Sequence, residues 1–404
     1  MKFLILGAGP AGLTFANELK RRGVDSFLVL EKECEAGGLC RSCEVDGSPF
    51  DIGGGHFLDN RLKDVNRFLF NFMPESEWNL FSRDSRIVIN GNEIDFPIEA
   101  NIWQMGIDDQ IEYLKAIAVA GCNTGEPIPN EFVKWIYWKL GKRIADDYMI
   151  PYNQKLFGDA FNELGTYWLE KLPNVSFEET LLSCLEKKPH GKLAGHVQFY
   201  YPKKYGYGEL WKRMASSIED KIQYESSVIG IDYDKKVVKT ENGATYCADN
   251  IITTIPWPSV AEHCGMPEEI KKTLKMLKHN SIETRYYQDN IQSKAHWIYY
   301  PDTNLAYHRI LLRSNFCPGS RGYWTETNGN RIERFSEKEK SEFCYLNKYA
   351  YPMNTQNKPS IMDNLLLWCR SKNIYGLGRW GEWQHYNSDV TVAKALELVG
   401  FIED

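Results

Sequence analysis

A short apolar run from Met1 to Leu6 breaks into the glycine-rich stretch GAGPAG, Gly7 to Gly12, and the apolar positions of TFANEL then recur at helical spacing. A second apolar run, SFLVL, ends at Glu31. The order predicts strand, glycine turn, helix, strand. Residues 61–101 alternate loop and strand signals, with Asn90-Gly91 between two β-rich runs as a hairpin turn. Between Ile107 and Gly158 the period changes: Phe132, Ile136, Leu140 and Ile144 recur every four residues, with Trp135 and Trp138 beside them. This predicts a helical insertion whose aromatic stripe is core rather than ligand surface. From about Val197 the strand signals return. FYYPKKYGYGELWKRMA reads as strand, turn and helix, and SVIGIDYD and KKVVKTENG read as strands followed by an Asn242-Gly243 turn. ADNIITTIP supplies a strand ending before Pro256, several strands follow between Ser281 and Trp324, and FSEKEKSEF reads as a solvated helix. The chain closes on a strand, a turn at Gly378 and Arg379, and a last helix beginning near Asp389 and Val390.

The chemistry starts in the first turn. Gly7 lets the chain leave the strand tightly, Gly9 removes a side chain where a pyrophosphate approaches backbone amides, and Gly12 lets the helix pack on the sheet. Phosphates would sit on the helix N-terminus. Glu31 lies 19 residues past Gly12, where a carboxylate accepts hydrogen bonds from a ribose diol. Two more glycine clusters follow, Gly37-Gly38 with Arg41 and then Gly53, Gly54, Gly55 and His56. They predict backbone running close to a flat, bulky ligand. The arrangement resembles the FAD-binding half of amine-oxidase-like flavoproteins. The expected fold is α/β: a Rossmann-like FAD-binding domain from segments 1–61, 204–265 and 366–404, a helical substrate-side domain at 102–172, and an antiparallel β-sheet domain from 62–101, 173–203 and 266–365.

Composition changes this picture little. The 404 residues suffice for two or three domains, 25% charged and 43% hydrophobic positions suit a soluble enzyme, and the net charge of −6 gives no pointer to nucleic acid. No apolar stretch approaches the roughly 18 residues that span a bilayer. The opening apolar run is too short for a signal peptide and no cleavage site follows it. Ten cysteines without paired spacing fit a reducing, cytoplasmic setting. Cys34, Cys40 and Cys43 have no second CxxC to match and read as ordinary small side chains rather than metal ligands. No GxSxG elbow, HExxH pair or Walker loop is present.

Other stretches carry a more specific resemblance: PYNQKLFG at Pro151 to Gly158, WLEKLP at Trp168 to Pro173, YYPKKYGYGELW at Tyr200 to Trp211, IYYPDTNLAYHRI at Ile298 to Ile310, YAYP at Tyr349 to Pro352 and GRWGEW at Gly378 to Trp383. With the glycine motifs, the chain resembles the UDP-galactopyranose mutase family. The resemblance implies conversion of a nucleotide-linked hexose between pyranose and furanose forms, through a covalent adduct of the sugar with reduced FAD and without net redox change. It implies a place in cell-surface polysaccharide biosynthesis, an external electron donor of the NADPH or flavodoxin type, and admits a homodimer. Residue by residue, it places His56 beside the flavin, Gly378 and Arg379 on the cofactor with the helix start at Asp389 and Val390 against the flavin's pyrimidine edge, Tyr152 at the nucleobase with Asn153 among the substrate-binding residues, and Phe157 where the family has Trp. Arg309 becomes the diphosphate arginine and Lys171 the cation of a mobile loop. Tyr351, His385 and Tyr386 fall near the diphosphate, with His385 standing where the family has a tyrosine. Three substrate-side departures, Phe157, Lys171 and His385, leave the identity of sugar and nucleotide open. Taken alone, Arg309 reads equally as half of a salt bridge, His56 as a backbone-bonded histidine and Asp389 as a helix cap. The alternative activity is an FAD-dependent oxidase of the amine-oxidase or protoporphyrinogen-oxidase kind.

Overall fold

The computed structural model describes residues 1–169, 172–191, 197–334 and 341–403. The apolar runs at the two ends of the first motif become strands Phe3–Leu6 and Phe27–Leu30, joined by helix Pro10–Arg21. They pair in parallel, Phe3 against Phe27. Asn250–Thr253 adds on the other side of the first strand and Ile374–Gly376 beyond it, giving a five-stranded parallel sheet with Ile222–Gln223 at its far edge. Strands buried on both faces need continuous apolar runs, and all four residues of Phe3–Leu6 are fully buried. Three segments far apart in the chain, 3–30, 222–253 and 374–376, therefore build one layer, as their apolar runs predict. The last helix, Ser388–Glu403, packs along Pro10–Arg21 and starts one residue earlier than the sequence suggests.

A seven-stranded, mainly antiparallel sheet forms the second layer. It carries His279–Tyr287, Trp297–Tyr299, Arg309–Leu311, Tyr323–Asn328 and Phe343–Pro352, and the hairpin of Ser85–Ile89 with Asn92–Asp95. That hairpin turns at Asn90-Gly91, both with positive φ, the requirement of a two-residue primed turn. The Asn242-Gly243 turn likewise joins Val237–Thr240 to Thr245–Cys247 in a separate four-stranded sheet.

The third part is helical. Phe132, Ile136, Leu140 and Ile144 all face inward from helix Phe132–Ile144, in one core with Ile117, Phe157 and Phe161. Helix Phe177–Glu186, grouped with the β-sheet domain from its sequence position, packs on this body against Ile107–Ala118. Its apolar positions leave it without a face for the sheet, since Phe177 and Cys184 join the helical core. The charged FSEKEKSEF segment falls largely outside the described residues, as does Lys171. Among the described residues, no helix is long and apolar enough to cross a membrane.

Two buried polar residues lock the discontinuous pieces together. Asp51 accepts from Ser42 Oγ at 2.5 Å, Tyr201 OH at 3.0 Å and Tyr207 N at 3.2 Å, which joins the early glycine-rich segment to the chain near 200. Burial outweighs these three donors and pushes the Asp51 carboxyl up to about 6. Arg313, fully buried, donates to the carbonyls of Val45, Ser48, Pro49 and Arg321 and so fixes the sheet to the hairpin Ser42–Val45 and Ser48–Asp51.

Candidate functional site

A cavity of about 320 Å³ runs from the carboxyl ends of the parallel strands toward the seven-stranded sheet. At one end lies Glu31, only 6% exposed, its carboxylate accepting from Ala8 N at 2.7 Å and Glu33 N at 3.0 Å. Those bonds fix the carboxylate at the end of the cavity, while burial raises its pKa. In the middle, the backbones of Gly9 and Gly38 face one another. A Cβ at Gly38 would stand 3.2 Å from Gly9 Cα, whereas one at Gly9 would find its first neighbour 3.9 Å away, on the cavity side. Gly7, at φ +102, is a conformation only glycine adopts freely. Gly12 does not reach the cavity: a Cβ there would drive into the Gly7 carbonyl, so this glycine serves helix packing. Arg41 lines the wall, donating to Gly38 O at 3.1 Å and Tyr345 OH at 2.8 Å.

The far end is formed by His56, Arg379, Tyr386, Ser388 and Thr391. Thus the first turn of the last helix does reach the cavity, through Ser388 and Thr391, while Asp389 and Val390 beside them do not line it. Gly378, at φ +75, lies against Ala11 and Thr391 and begins the short turn that presents Arg379. Gly54 and Gly55 are also absent from the lining. Their glycine character answers to the sheet instead: a Cβ at Gly54 would overlap the Glu326 carboxylate, and one at Gly55 would meet the Leu311 side chain. The third glycine cluster therefore lets a loop lie against Glu326, and that loop carries His56.

His56 sets Nδ1 3.3 Å from Gly54 O and stacks on Tyr207 at 6.4 Å. Burial first, and the Arg379 charge next, hold its imidazole down to about 4, so it is neutral at ordinary pH. With Nδ1 facing a carbonyl, that nitrogen carries the proton and Nε2 keeps a lone pair. Arg379 is half-buried and donates to carbonyls, through Nε and Nη2 to Tyr386 O at 3.0 and 2.9 Å and through Nη1 to Ala350 O at 3.0 Å, with the guanidinium 5.3 Å from the Tyr351 ring. Burial lowers its pKa. Its positive charge is thus held beside the cavity by dipoles rather than by a carboxylate.

Arg309 is not isolated. Its strand places it directly opposite Glu326, and the carboxylate accepts Nε at 3.0 Å and Nη2 at 2.7 and 2.6 Å. The carboxylate is buried and the guanidinium half-buried, and the pair holds Glu326 down to about 2 despite desolvation. Of the two readings the sequence leaves open, ion pair or site cation, the structure shows the first and leaves room for the second, because the Arg309 charge also acts on Tyr152, Tyr351 and His56. Tyr152 packs edge-on against Tyr299 at 5.3 Å and His308 at 5.9 Å, and Tyr351 lies 4.5 Å from His385. Burial raises both tyrosine pKa values. Phe157 is buried and meets Trp168 edge-on at 6.4 Å. Asn153 turns its amide back to Met149 O at 2.7 Å, on the turn that leads into its own helix. The structure thus gathers Tyr152, Arg309, Tyr351 and His56 around one junction, adds Tyr299 and Glu326, and leaves Asn153 with a local hydrogen bond. Glu326 and Tyr299 escaped the sequence reading because they sit in ordinary alternating strands; the only signal was an acid between two threonines, YWTETN.

The donor set suits a dinucleotide-linked flat group: a buried carboxylate at one end, facing glycine backbones in the middle, and a neutral histidine with a half-buried guanidinium at the far end.

The model of the flavin-containing amine oxidoreductase family matches residues 10–290 of the chain. Among solved structures, a reduced UDP-galactopyranose mutase superposes with a TM-score of 0.89 at 21% identity, over 100% of this chain and 93% of the other. A protein from Exiguobacterium sp. 255-15, provisionally assigned as a protoporphyrinogen oxidase, gives 0.72 at 14% identity over 100% and 98%. An uncharacterised protein encoded in the nifH2 3′ region of Methanothermococcus thermolithotrophicus is 49% identical over 53 residues, 13% of this chain. The chain spans about half the length of that curated relative, 50%.

Proposed function

The chain belongs to the flavin-containing amine oxidoreductase family, and within it we propose a flavin-dependent nucleotide-sugar mutase that interconverts the pyranose and furanose forms of a nucleoside-diphosphate hexose. The observation that carries this reading is the pair of half-buried guanidinium groups, Arg309 and Arg379, whose charges both act on Tyr351 where the cavity meets the helical body. An amine-oxidising site would suit an apolar or aromatic cage at this place; two half-buried cations suit an anionic substrate.

The cofactor is FAD, with Glu31 at the ribose, Gly7, Gly9 and Gly38 along the pyrophosphate, and Arg41, Ser388 and Thr391 along the remaining wall. Bound in reduced form, it supplies a nucleophilic ring nitrogen for the anomeric carbon, and an outside donor of the NADPH or flavodoxin type must first reduce it. The protein does the rest. Arg309, presenting the edge its carboxylate partner does not use, binds the diphosphate and stabilises the charge that grows there as the glycosyl bond breaks. Tyr351 stands against Arg379 and adds a hydroxyl to the same region. Tyr152 and Tyr299 give the nucleobase an aromatic wall, and Phe157 bounds the sugar side without an indole donor. His56, neutral, keeps Nε2 as a hydrogen-bond acceptor beside the cavity.

Arg309→Lys tests the assignment. It keeps the charge opposite Glu326 and loses the planar fork, so flavin content should stay at the parent level while kcat/KM for the sugar nucleotide falls about 10- to 100-fold. An unchanged kcat/KM would remove Arg309 from diphosphate binding. Alanine is the poorer choice, since it strands a buried carboxylate at a cost of about 3–5 kcal/mol.

A further inference from the structure

One carboxylate touches both halves of the site. Glu326 is 1% exposed and accepts Arg309 through Nε and Nη2 on one side. On the other it accepts Gly55 N at 3.0 Å, from the loop that carries His56. His308 Nε2 stands 3.5 Å away, and this imidazole, 2% exposed in its side chain, has no hydrogen-bond partner for Nδ1 among the described residues. Burial keeps His308 in its neutral form, so it donates to Glu326 without neutralising it. The contact with the loop is built in: Gly54 has no Cβ because the Glu326 carboxylate occupies that space, and its φ of +85 bends the loop into place. Neither Arg309 nor the His56 loop can shift without changing what the other shares with this group.

We propose that Glu326 is a positioning residue that couples anion binding at Arg309 to the loop carrying His56, so that nucleotide occupancy and the setting of the flavin side change together. The inference rests on the reading of Arg309 as the diphosphate cation. The carboxylate holds Nε and Nη2 and leaves Nη1 at the far edge of the fork. An anion arriving at Nη1 draws on the same guanidinium charge. The carboxylate is then less neutralised and bears more strongly on its remaining donors, Gly55 N–H and His308. Gln at 326 keeps an acceptor for Gly55 and nearly the same volume, but it carries no charge to be shared, so the two sides should become independent.

The test uses the holoprotein, uridine diphosphate as probe, and two readouts. In selectively 15N-glycine-labelled protein, the Gly55 amide resonance should move on saturation with uridine diphosphate, and it should stay in place in Glu326→Gln at equal saturation. The dissociation constants of the probe from oxidised and reduced holoprotein should differ by at least fivefold in the parent, and the ratio should fall at least threefold toward one in Glu326→Gln. If that variant does not fold, the parent's Gly55 resonance decides alone. Binding of the probe with Gly55 unmoved, or an unchanged ratio in Glu326→Gln, would overturn the coupling and leave the mutase reading standing. No binding of uridine diphosphate, and none of thymidine diphosphate offered in its place, to either redox form would overturn the mutase reading, and the coupling with it.

Discussion

Gly9 and Gly12 stand three residues apart in one motif and answer to different demands. The space beyond Gly9 is cavity, whereas the space beyond Gly12 is the Gly7 carbonyl and Ile5. Gly9→Val should therefore leave the thermal stability of the apoprotein near the parent value and abolish flavin retention. Gly12→Val should lower the stability itself by about 1–3 kcal/mol or more, because overpacking forces the helix off the strand. Calorimetry of the apoproteins and the visible absorbance of the holoproteins separate the two; a Gly9→Val protein that purifies with full flavin would contradict the account. His56 offers a second residue-scale check. Its folded pKa of about 4 lies below the unfolded value of about 6.5. As pH falls through that window the unfolded chain takes up a proton that the folded chain refuses, so stability is lost, on the order of 3 kcal/mol by pH 4. Asp51, raised to about 6, works in the opposite sense, gaining stability as pH falls. Denaturant curves at pH 7 and pH 4 should thus show a smaller acid loss in the apo form of His56→Gln than in the parent, and an equal loss would mean the imidazole is not held neutral. The glycine fingerprint and Glu31 were legible in the sequence because spacing alone fixes their geometry. The purpose of Gly54 and Gly55 was not, because the side chains that need their space lie more than two hundred residues away.

At the scale of elements, the helical body meets the seven-stranded sheet at helix Ile150–Phe157, and two consecutive residues make the junction. Lys155, fully buried, donates to Tyr300 O at 2.8 Å and Asp302 O at 2.7 Å, inside the hairpin whose strands carry Tyr299 and Arg309. Leu156 O accepts from Asn280 and Asn328, each at 2.8 Å. Asn280 also receives Tyr351 N at 2.9 Å. Helix, hairpin and the Tyr351 strand are therefore held in one relation by a few polar contacts. Burial pulls the Lys155 ammonium down to about 7, with Arg331 adding to the shift. Lys155→Met removes the charge and leaves two carbonyls without their donor, at a cost of about 1–3 kcal/mol. It should loosen Tyr152 relative to Arg309 and weaken nucleotide binding severalfold with flavin content unchanged. Titration calorimetry with the nucleotide reads the first and absorbance the second; loss of flavin at undiminished stability would contradict this division of labour. The helices were legible from their four-residue apolar period, and the hairpins from Asn-Gly turns. The junction was not, since Lys155 and Asn280 look like any polar residues on a helix and a strand.

For the whole molecule, the architecture explains why one site needs residues from almost the full length of the chain. The parallel sheet draws on the start, middle and end of the sequence, and its glycine-rich ends open toward a second sheet that supplies Arg309, Glu326 and Tyr351. The helical insertion closes the third side. Apolar runs at the right spacing disclosed the layers, while the pairing order, in which Asn250–Thr253 lies beside Phe3–Leu6, depends on contacts that no local pattern records. The resulting arrangement separates the glycine-lined cavity from a tyrosine-lined junction that holds Arg309, and the mutase reading rests on that separation. The most direct test is anaerobic. The purified yellow protein is reduced with dithionite, offered a panel of UDP- and dTDP-hexopyranoses, and the products are resolved by chromatography and NMR. A furanose formed only with reduced flavin is the predicted result. No furanose from any member of the panel, together with rapid reduction of the oxidised flavin by an amine or a porphyrinogen, would contradict the mutase reading and assign an oxidase in its place.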